Sequence, residues 1–387
     1  MLSKRQLNIS AHPAIVFGNG SIAQLAQHVR SVGYERAFVV TDPGIKRSGV
    51  LEGIATVLTD NDIGMYVFDA VAPNPTTACI EQGSAALRMH GDALVVAVGG
   101  GSAIDAAKGI ALHVENSHVS PAELDYRNPV KHPARPVIAV PTTAGTGSET
   151  NTFGVITNPA VGRKFYVGDA SVQPRVALLD PSLTLGLPPS ATAATGFDAF
   201  THAMEALTSR NANPYADGLA LHVLQMVAAW LPRVVADGSD LEARSQMLLA
   251  AHLAGVAFRT TGLGLCHGLG HALGARLGAP HGLTLAIMLP HVMRFNLPVS
   301  GSRYAQAALA MGAGDTHRSD AANAEVAIIA VEELSRAIGT ECQLRDIGCT
   351  AELIPTLAAD AIDDEVTVNT PRVPTFAEAQ ELLLTAL

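Results

Sequence analysis

The first half of the chain alternates short apolar runs with helical stretches, and the second half is dominated by long alanine- and leucine-rich segments. Residues 36–41, 93–98 and 137–140 are continuous apolar runs without the polar alternation of a half-exposed strand. Such runs, separated by helical segments, predict a parallel sheet covered on both faces. The first run ends in Asp42-Pro43-Gly44, which reads as a turn, and the third is closed by Pro141. After Pro188-Pro189 the pattern changes, and residues 215–236 and 241–258 carry helical periodicity with few β-branched clusters. The expected fold class is an α/β, Rossmann-like N-terminal domain with a parallel sheet over residues 1–185. An all-α C-terminal domain follows over 186–387, with the boundary between Asp180 and Ser190.

Composition narrows the picture. A chain of 387 residues can bury two cores, and 48% hydrophobic with 16% charged residues suits a compact enzyme. The net charge of −10, without a basic cluster, argues against nucleic acid as a partner. No uninterrupted apolar run reaches the length of a membrane span, and Met1-Leu2-Ser3-Lys4-Arg5 leads into a polar stretch without a signal-peptide core. Cys79, Cys266, Cys342 and Cys349 form no CxxC pair, so neither a disulfide framework nor a cysteine zinc site is implied. The expected location is the cytoplasm.

Candidate chemistry gathers in the helical half. Cys266-His267-Gly268-Leu269-Gly270-His271 is followed by Pro280-His281-Gly282. Glycine inside a helix costs about 1 kcal/mol against alanine, so this segment needs close backbone approach, and imidazoles are common metal ligands. The spacing alone carries little weight. With 14 histidines in the chain, an i,i+4 pair arises by chance about half a time, and satisfied core or surface histidines would look the same. The segment from Gly196 to Glu205 adds weight, because Asp198 and His202 are four apart and share one helix face. A carboxylate with imidazoles suits iron(II) or zinc. Asp198 could instead serve a helix N-terminus, but that leaves His202 and the later cluster as coincidences.

Three loops in the first half carry nucleotide chemistry. The run at 93–98 leads into Gly99-Gly100-Gly101-Ser102, where amides at a helix start can approach a pyrophosphate. Ser102 and Asp105 also have capping-box spacing, so they could simply start the helix. No Lys-Ser/Thr ending follows, so ATP chemistry is not indicated. Gly18-Asn19-Gly20 competes as a loose dinucleotide pattern, with Asp42 about twenty residues on. A carboxylate at Asp42 can accept from a ribose and repel a 2′-phosphate, which favours NAD over NADP; a surface turn acid is the alternative. The third loop, from Pro141 to Asn151, interleaves glycine with small hydroxyl side chains that can bond a ribose or nicotinamide.

Together these motifs resemble the iron-containing (group III) alcohol dehydrogenases of the dehydroquinate-synthase-like fold. The resemblance rests on Gly99-Gly100-Gly101-Ser102 with Asp105, on Pro141-Thr142-Thr143-Ala144-Gly145-Thr146-Gly147-Ser148-Glu149 and on Asp180-Pro181. It continues through Asp198, His202 and Glu205 of the Gly196 segment, His267-Gly268-x-x-His271 and Pro280-His281-Gly282. It spans residues 15 to about 295; the last 90 residues match only as a generic helical tail. The resemblance implies Asp198, His202, His267 and His281 as metal ligands, for Fe2+ or for Zn2+ or another divalent ion. His271 becomes the cleft histidine that handles a proton. Asp42, Asn74, Gly99, Gly100, Gly101, Ser102, Thr142, Thr143 and Lys164 fall where the family contacts NAD, with Thr146, Ser148, Asn151 and Leu183 placed beside them. It also assigns the Gly18 motif to the family's N-terminal signature and the triple glycine to the pyrophosphate.

The implied activity is hydride transfer between a small alcohol or diol and NAD, in a homodimer. The glycines at 264, 268, 270, 274 and 278 are expected to let their helix approach a neighbour and to leave room for metal and substrate. Two departures bear on substrate: Ala272 replaces a common proline, and Arg276-Leu277 replaces aromatic residues. Arg276 reads as an exposed helix arginine. Alternative readings are a maleylacetate-type reductase or a hydroxyacid-oxoacid transhydrogenase, a dehydroquinate-synthase-like lyase, and a non-catalytic NAD- and metal-binding protein. The lyase would need a basic phosphate array that the segments around the ligands lack.

Overall fold

The computed structural model describes Leu7, Ile9 and residues 12–387. The chain opens with β1 (Ala14–Phe17), α1 (Leu25–Ser31), β2 (Arg36–Val40), α2 (Pro43–Arg47), α3 (Val50–Thr59) and β3 (Gly64–Phe68). It continues through α4 (Thr77–His90), β4 (Leu94–Gly99), α5 (Gly101–Glu115) and β5 (Val137–Pro141). An antiparallel hairpin, β6 (Phe153–Asn158) and β7 (Arg163–Gly168), precedes β8 (Val176–Leu179).

Six strands form one parallel sheet in the order β1-β8-β5-β4-β2-β3. Strand side chains alternate between two apolar layers, which is why the runs show no polar period. Ala37, Val39, Leu94, Val96 and Val98 meet α1 and α3, while Phe38, Val40, Val95 and Ala97 meet α4 and α5. After β3 the chain returns to the other side of β2, so the strand order reverses between β2 and β4. A crevice at the carboxyl ends of such strands is where open α/β sheets bind ligands.

Asp42-Pro43-Gly44 differs from the expected turn. Asp42 caps α2, its Oδ1 accepting from the Gly44 and Ile45 amides at 2.7 and 3.1 Å. The Gly18 motif is structural here. Gly18 N donates to Leu179 O, and Ile22 N donates to Asp180 Oδ2 at 3.0 Å, so this turn fastens the edge strand to the end of β8.

The second half contains α6 (Pro189–Thr208), α7 (Pro214–Ala236), α8 (Leu241–Thr261), α9 (Leu265–Leu277), α10 (His281–Ala310), α11 (Asp320–Ala337), α12 (Ile354–Asp363) and α13 (Phe376–Ala386). They share one core. From Gly196 to Thr208 every residue of α6 is buried, and the helix packs against α7, α8 and α10. A helix apolar on all sides belongs at a domain's centre. Among single helices of the described residues, α7 is long and apolar enough to cross a membrane, and it packs between α6 and α8.

The glycine-rich segment is a regular helix, α9; Gly268 and Gly270 serve packing, Gly264 leaves room for the Glu205 carboxylate, and Gly278 ends the helix in a left-handed conformation, φ +66°. A Cβ at Gly268 would lie 2.1 Å from Thr367 Oγ1, and one at Gly270 would lie 2.6 Å from Leu285 Cδ2. Neither faces the histidine side chains, so the expected clearance for metal and substrate is not their role. The tightest approach is at Gly282, in the first turn of α10, where a Cβ would sit 1.9 Å from the Ala194 carbonyl of α6. This contact seats His281 beside α6. Gly282→Ala is expected to destabilise the fold by about 1–3 kcal/mol through overpacking and to shift the first turn of α10. Thermal unfolding checks it, and an unchanged midpoint would contradict the close crossing.

Candidate active site

Asp198 and His202 project from the same face of α6, α9 supplies His267, and α10 begins with His281. The Nε2 atoms of His202, His267 and His281 lie 3.3, 3.4 and 3.7 Å from Asp198 Oδ1. Asp198 Oδ1 and His267 Nε2 are buried and make no hydrogen bond, which a folded protein seldom tolerates without a reason. Donors about 2.1 Å from one ion stand about 3.4 Å apart in a tetrahedral arrangement. The spacing therefore fits donors sharing a divalent ion. The donor atoms of Asp198, His267 and His281 all lie within 4.8 Å of one another, a group that does not include His202. His202 meets the same oxygen from beside it, its ring stacked on His267 at 4.6 Å and backed by Phe258.

Two of the imidazoles are electrostatically ready to ligate, whereas at His267 the Asp198 and Glu205 carboxylates overcome burial and raise the pKa to about 9, so an ion would have to displace its Nε2 proton. Burial lowers the His202 pKa to about 4 and holds His281 well below its ordinary value. Both rings are then neutral near pH 7 and can offer a lone pair. Burial opposes ionisation of Asp198, but the surrounding imidazoles outweigh it and hold the carboxyl below its usual range.

Glu205, two turns after Asp198, orients His267. Its carboxylate accepts from His267 Nδ1 at 2.6 Å and from the Gly264 and Cys266 amides at 2.9 and 2.7 Å. The Nδ1 proton is thereby fixed and Nε2 is aimed at Asp198, the usual carboxylate–imidazole–metal arrangement. Burial would raise the Glu205 pKa, but these three donors carry it below the ordinary value. Sequence reading had Glu205 inside a motif without a role, because its partners lie sixty residues away.

His271 stands outside the group around Asp198. Its ring stacks on His281 at 5.3 Å, and Nδ1 lies 2.8 Å from Asp364 Oδ2. Asp364 Oδ1 accepts from Val366 N at 3.1 Å. Burial opposes ionisation of Asp364, and its pairing with His271 reverses the balance and lowers its pKa. Asp364 comes from the tail that had been read as generic helix, and nothing local marks it. Arg276 pairs with Asp360 at 2.8 Å and does not line the cavity, as an exposed helix arginine should.

A cavity of about 330 Å³ extends from these histidines into the N-terminal half. Its walls include Asn74, Gly101, Ser102, Thr146, Ser148, Asn151 and Lys164 together with Asp198, His202, His267, His271 and His281. Asn74 holds a left-handed backbone, φ +54°, which is uncommon outside glycine and often marks a ligand site. Asp42, Gly99, Gly100, Thr142, Thr143 and Leu183 are not in this wall. Asp42 and Gly99 meet across the β2–β4 crevice, where Asp42 Oδ2 lies 3.3 Å from a Cβ position on Gly99. Thr142 N donates to Gly99 O at 3.0 Å, Thr143 lies against Gly100, and Leu183 packs on the sheet core.

Two details of this half bear on those readings. No side chain caps α5: its N-cap is Gly100, and Asp105 instead accepts from Val155 N at 3.0 Å, docking the β6–β7 hairpin. The first-turn amides of α5 stay open to an anion. Asn151 Oδ1 is occupied by Lys108 Nζ at 2.5 Å and by the Phe153 amide, so only its amide group remains for a ligand. Lys108 is fully buried and also donates to Ser148 O and Phe153 O; burial lowers its pKa to about 8. This lysine, which reads in sequence as one more helix cation, staples the third loop to α5.

The third loop also forms the seam between the halves. A Cβ at Gly145 would lie 2.6 Å from Thr195 O of α6, and one at Gly147, φ +61°, would lie 2.7 Å from Gly255 Cα of α8. These glycines serve contact with the helical half and not only clearance for a ribose.

The whole chain is similar to known enzymes. Residues 13–181 match the iron-containing alcohol dehydrogenase domain, and residues 192–387 match the C-terminal domain of the Fe-containing alcohol dehydrogenase family. The NAD-dependent methanol dehydrogenase of Bacillus methanolicus is 35% identical over 98% of this chain and 100% of its own length. Lactaldehyde reductase of Escherichia coli K12 is 36% identical over 96% of this chain and 97% of its own. The crystal structure of a 1,3-propanediol oxidoreductase superposes with a TM-score of 0.96 at 35% identity, covering 99% of this chain and all of its own. With both domains matched in order and the buried carboxylate–imidazole cluster in the second, this chain belongs to the iron-containing alcohol dehydrogenase family.

Proposed function

We propose that the protein is a metal-dependent, NAD-linked alcohol dehydrogenase or aldehyde reductase acting on a small alcohol or diol. The observation that carries this reading is the cluster of imidazoles around Asp198 Oδ1, opening into a cavity that reaches the glycine turn of β4. Asp198, His202, His267 and His281 hold a divalent ion, Fe2+ by the family's name, with Zn2+ or another divalent ion accepted by the same donors. The ion supplies Lewis acidity toward the substrate oxygen and NAD supplies the hydride carrier. The printed names of the relatives, methanol dehydrogenase, lactaldehyde reductase and propanediol oxidoreductase, support short alcohols and aldehydes as substrates.

The chain's own residues position and protonate. Glu205 holds the His267 tautomer, and Asp364 holds His271 through Nδ1, leaving Nε2 to move a proton between cavity and solvent. Residues 1–185 form the coenzyme half and 186–387 the helical half. The open amides of α5 at Gly101 and Ser102 take the pyrophosphate, and Asp42 Oδ2 takes the adenosine ribose. Asn74, Thr146, Ser148, Asn151 and Lys164 face the nicotinamide side, with Thr142, Thr143 and Leu183 shaping the crevice. Four free cysteines suit the cytoplasm. The edge strand β1 leaves Ile15 and Phe17 about half exposed, a face suited to a second copy in a homodimer.

Metal analysis of the purified protein, combined with NADH and NADPH oxidation across a panel of short aldehydes, tests the whole reading. About one divalent ion per chain is expected, bound through four protein ligands. His281→Ala should lose it, and Glu205→Gln should weaken ion binding about 10–100-fold with the fold intact. Unchanged metal content in His281→Ala would remove that residue from the ligand set. NADH should be preferred over NADPH. Asp42→Gly, which as an N-cap costs only a few tenths of a kcal/mol, should narrow that preference; an NADPH preference in the unaltered protein would refute the role of Asp42.

A further inference from the structure

Three consecutive acidic residues at the end of α12 face different partners. Asp363 pairs with Arg163 Nη1 of β7 at 2.5 Å, Asp364 holds His271, and Glu365 reaches the coenzyme half again. Glu365 Oε1 lies 2.8 Å from Arg127 Nη1, and Oε2 accepts from Tyr126 OH at 2.9 Å. Arg127 is itself held in place by the Asp125 carboxylate, which meets its Nε and Nη2 at 2.7 and 2.6 Å. The segment is pinned to β7 by an Asp125–Val167 bridge and by Tyr126 N donating to Tyr166 O. The carboxylate that orients His271 is therefore flanked on both sides by contacts that cross the cleft. The two pairs are unequal. Arg163 and Asp363 are both largely exposed, whereas Glu365 is two-thirds covered and lines the cavity beside Tyr126. Exposed pairs add little stability, which applies to Arg163 and Asp363, whereas Glu365 is held by two partners, the exposed Arg127 and Tyr126 of the cavity wall.

We infer that Glu365 is a positioning residue that latches the Asp364 turn to Tyr126 and Arg127, so that closing the cleft between the halves and orienting His271 are one event. Both carboxylate oxygens of Glu365 are engaged by Tyr126 and Arg127; it acts through Asp364 on the His271 ring. Coupling of this kind lets an enzyme complete its proton relay only around bound ligands. The inference rests on the proton role given to His271.

The test is a set of mutant cycles in the metal-loaded enzyme, reading kcat and aldehyde KM for NADH-linked reduction. Glu365→Ala should lower kcat about tenfold with KM within about twofold, as expected when a conformational step and not binding is disturbed. Metal content and thermal midpoint should be unchanged. Arg127→Ala should lower kcat in the same way, and the double variant should lose no more than either alone. In a His271→Ala background, where activity is already reduced, Glu365→Ala should add nothing. A full additional loss in that background, or a rise in KM at unchanged kcat, would overturn the latch and leave the His271 reading standing. Undiminished activity of His271→Ala would overturn both.

Discussion

A carboxylate in the middle of an apolar helix is the constraint around which the helical half is arranged. Asp198 sits on α6 where every neighbouring residue is buried, and leaving such a charge unpaired costs several kcal/mol. Relief comes from imidazoles on three helices, and each must be brought to the same oxygen. α10 can deliver His281 only because Gly282 lets its first turn lie on the Ala194 carbonyl. α9 can deliver His267 only because a second buried carboxylate, Glu205, takes up its ring N–H and the amides at the start of the helix. The crossing points of α6, α9 and α10 are thus fixed by one charge as much as by apolar packing.

The same demand for satisfied polar groups governs the seam between the halves. The loop after β5 lies on α6 and α8 at glycine-width separation, and its carbonyls are gathered by the buried Lys108 ammonium. Asp105, one turn earlier on α5, binds the β6–β7 hairpin to that helix. One helix therefore presents its open N-terminal amides to the crevice while its interior charges anchor both the loop and the hairpin that wall the cavity. The opening of the crevice and part of the cavity wall are thus tied to one helix.

Much of this was legible in the sequence, and what was not has a common cause. Strands β2, β4 and β5 announce themselves because both faces are covered, leaving continuous apolar runs. Asp198 and His202 show through helical spacing, and His267 and His281 through an unusual density of glycine and histidine. Periodicity reveals which face a residue occupies but not which distant residue meets it. Hence Glu205, Lys108 and Asp364 went unassigned, each bonded to groups 40 to about 90 positions away. Local spacing also misled at Asp42-Pro43-Gly44, which looks like a turn although it starts α2, while the capping alternative at Ser102 and Asp105 is not realised. The glycines of α9 were correctly read as clearance, but for Thr367 and Leu285 and not for a ligand.

The four proposed ligands are not equally enclosed. The side chains of Asp198, His202 and His267 are 4%, 5% and 1% exposed, whereas that of His281 is 32% exposed and faces the cavity from the first residue of a helix. Three donors are thus enclosed by protein, and the fourth, though its backbone is seated on α6 at Gly282, meets the open cavity. An ion bound by these four residues would be shielded by protein on the sides of Asp198, His202 and His267 and open to the cavity beside His281.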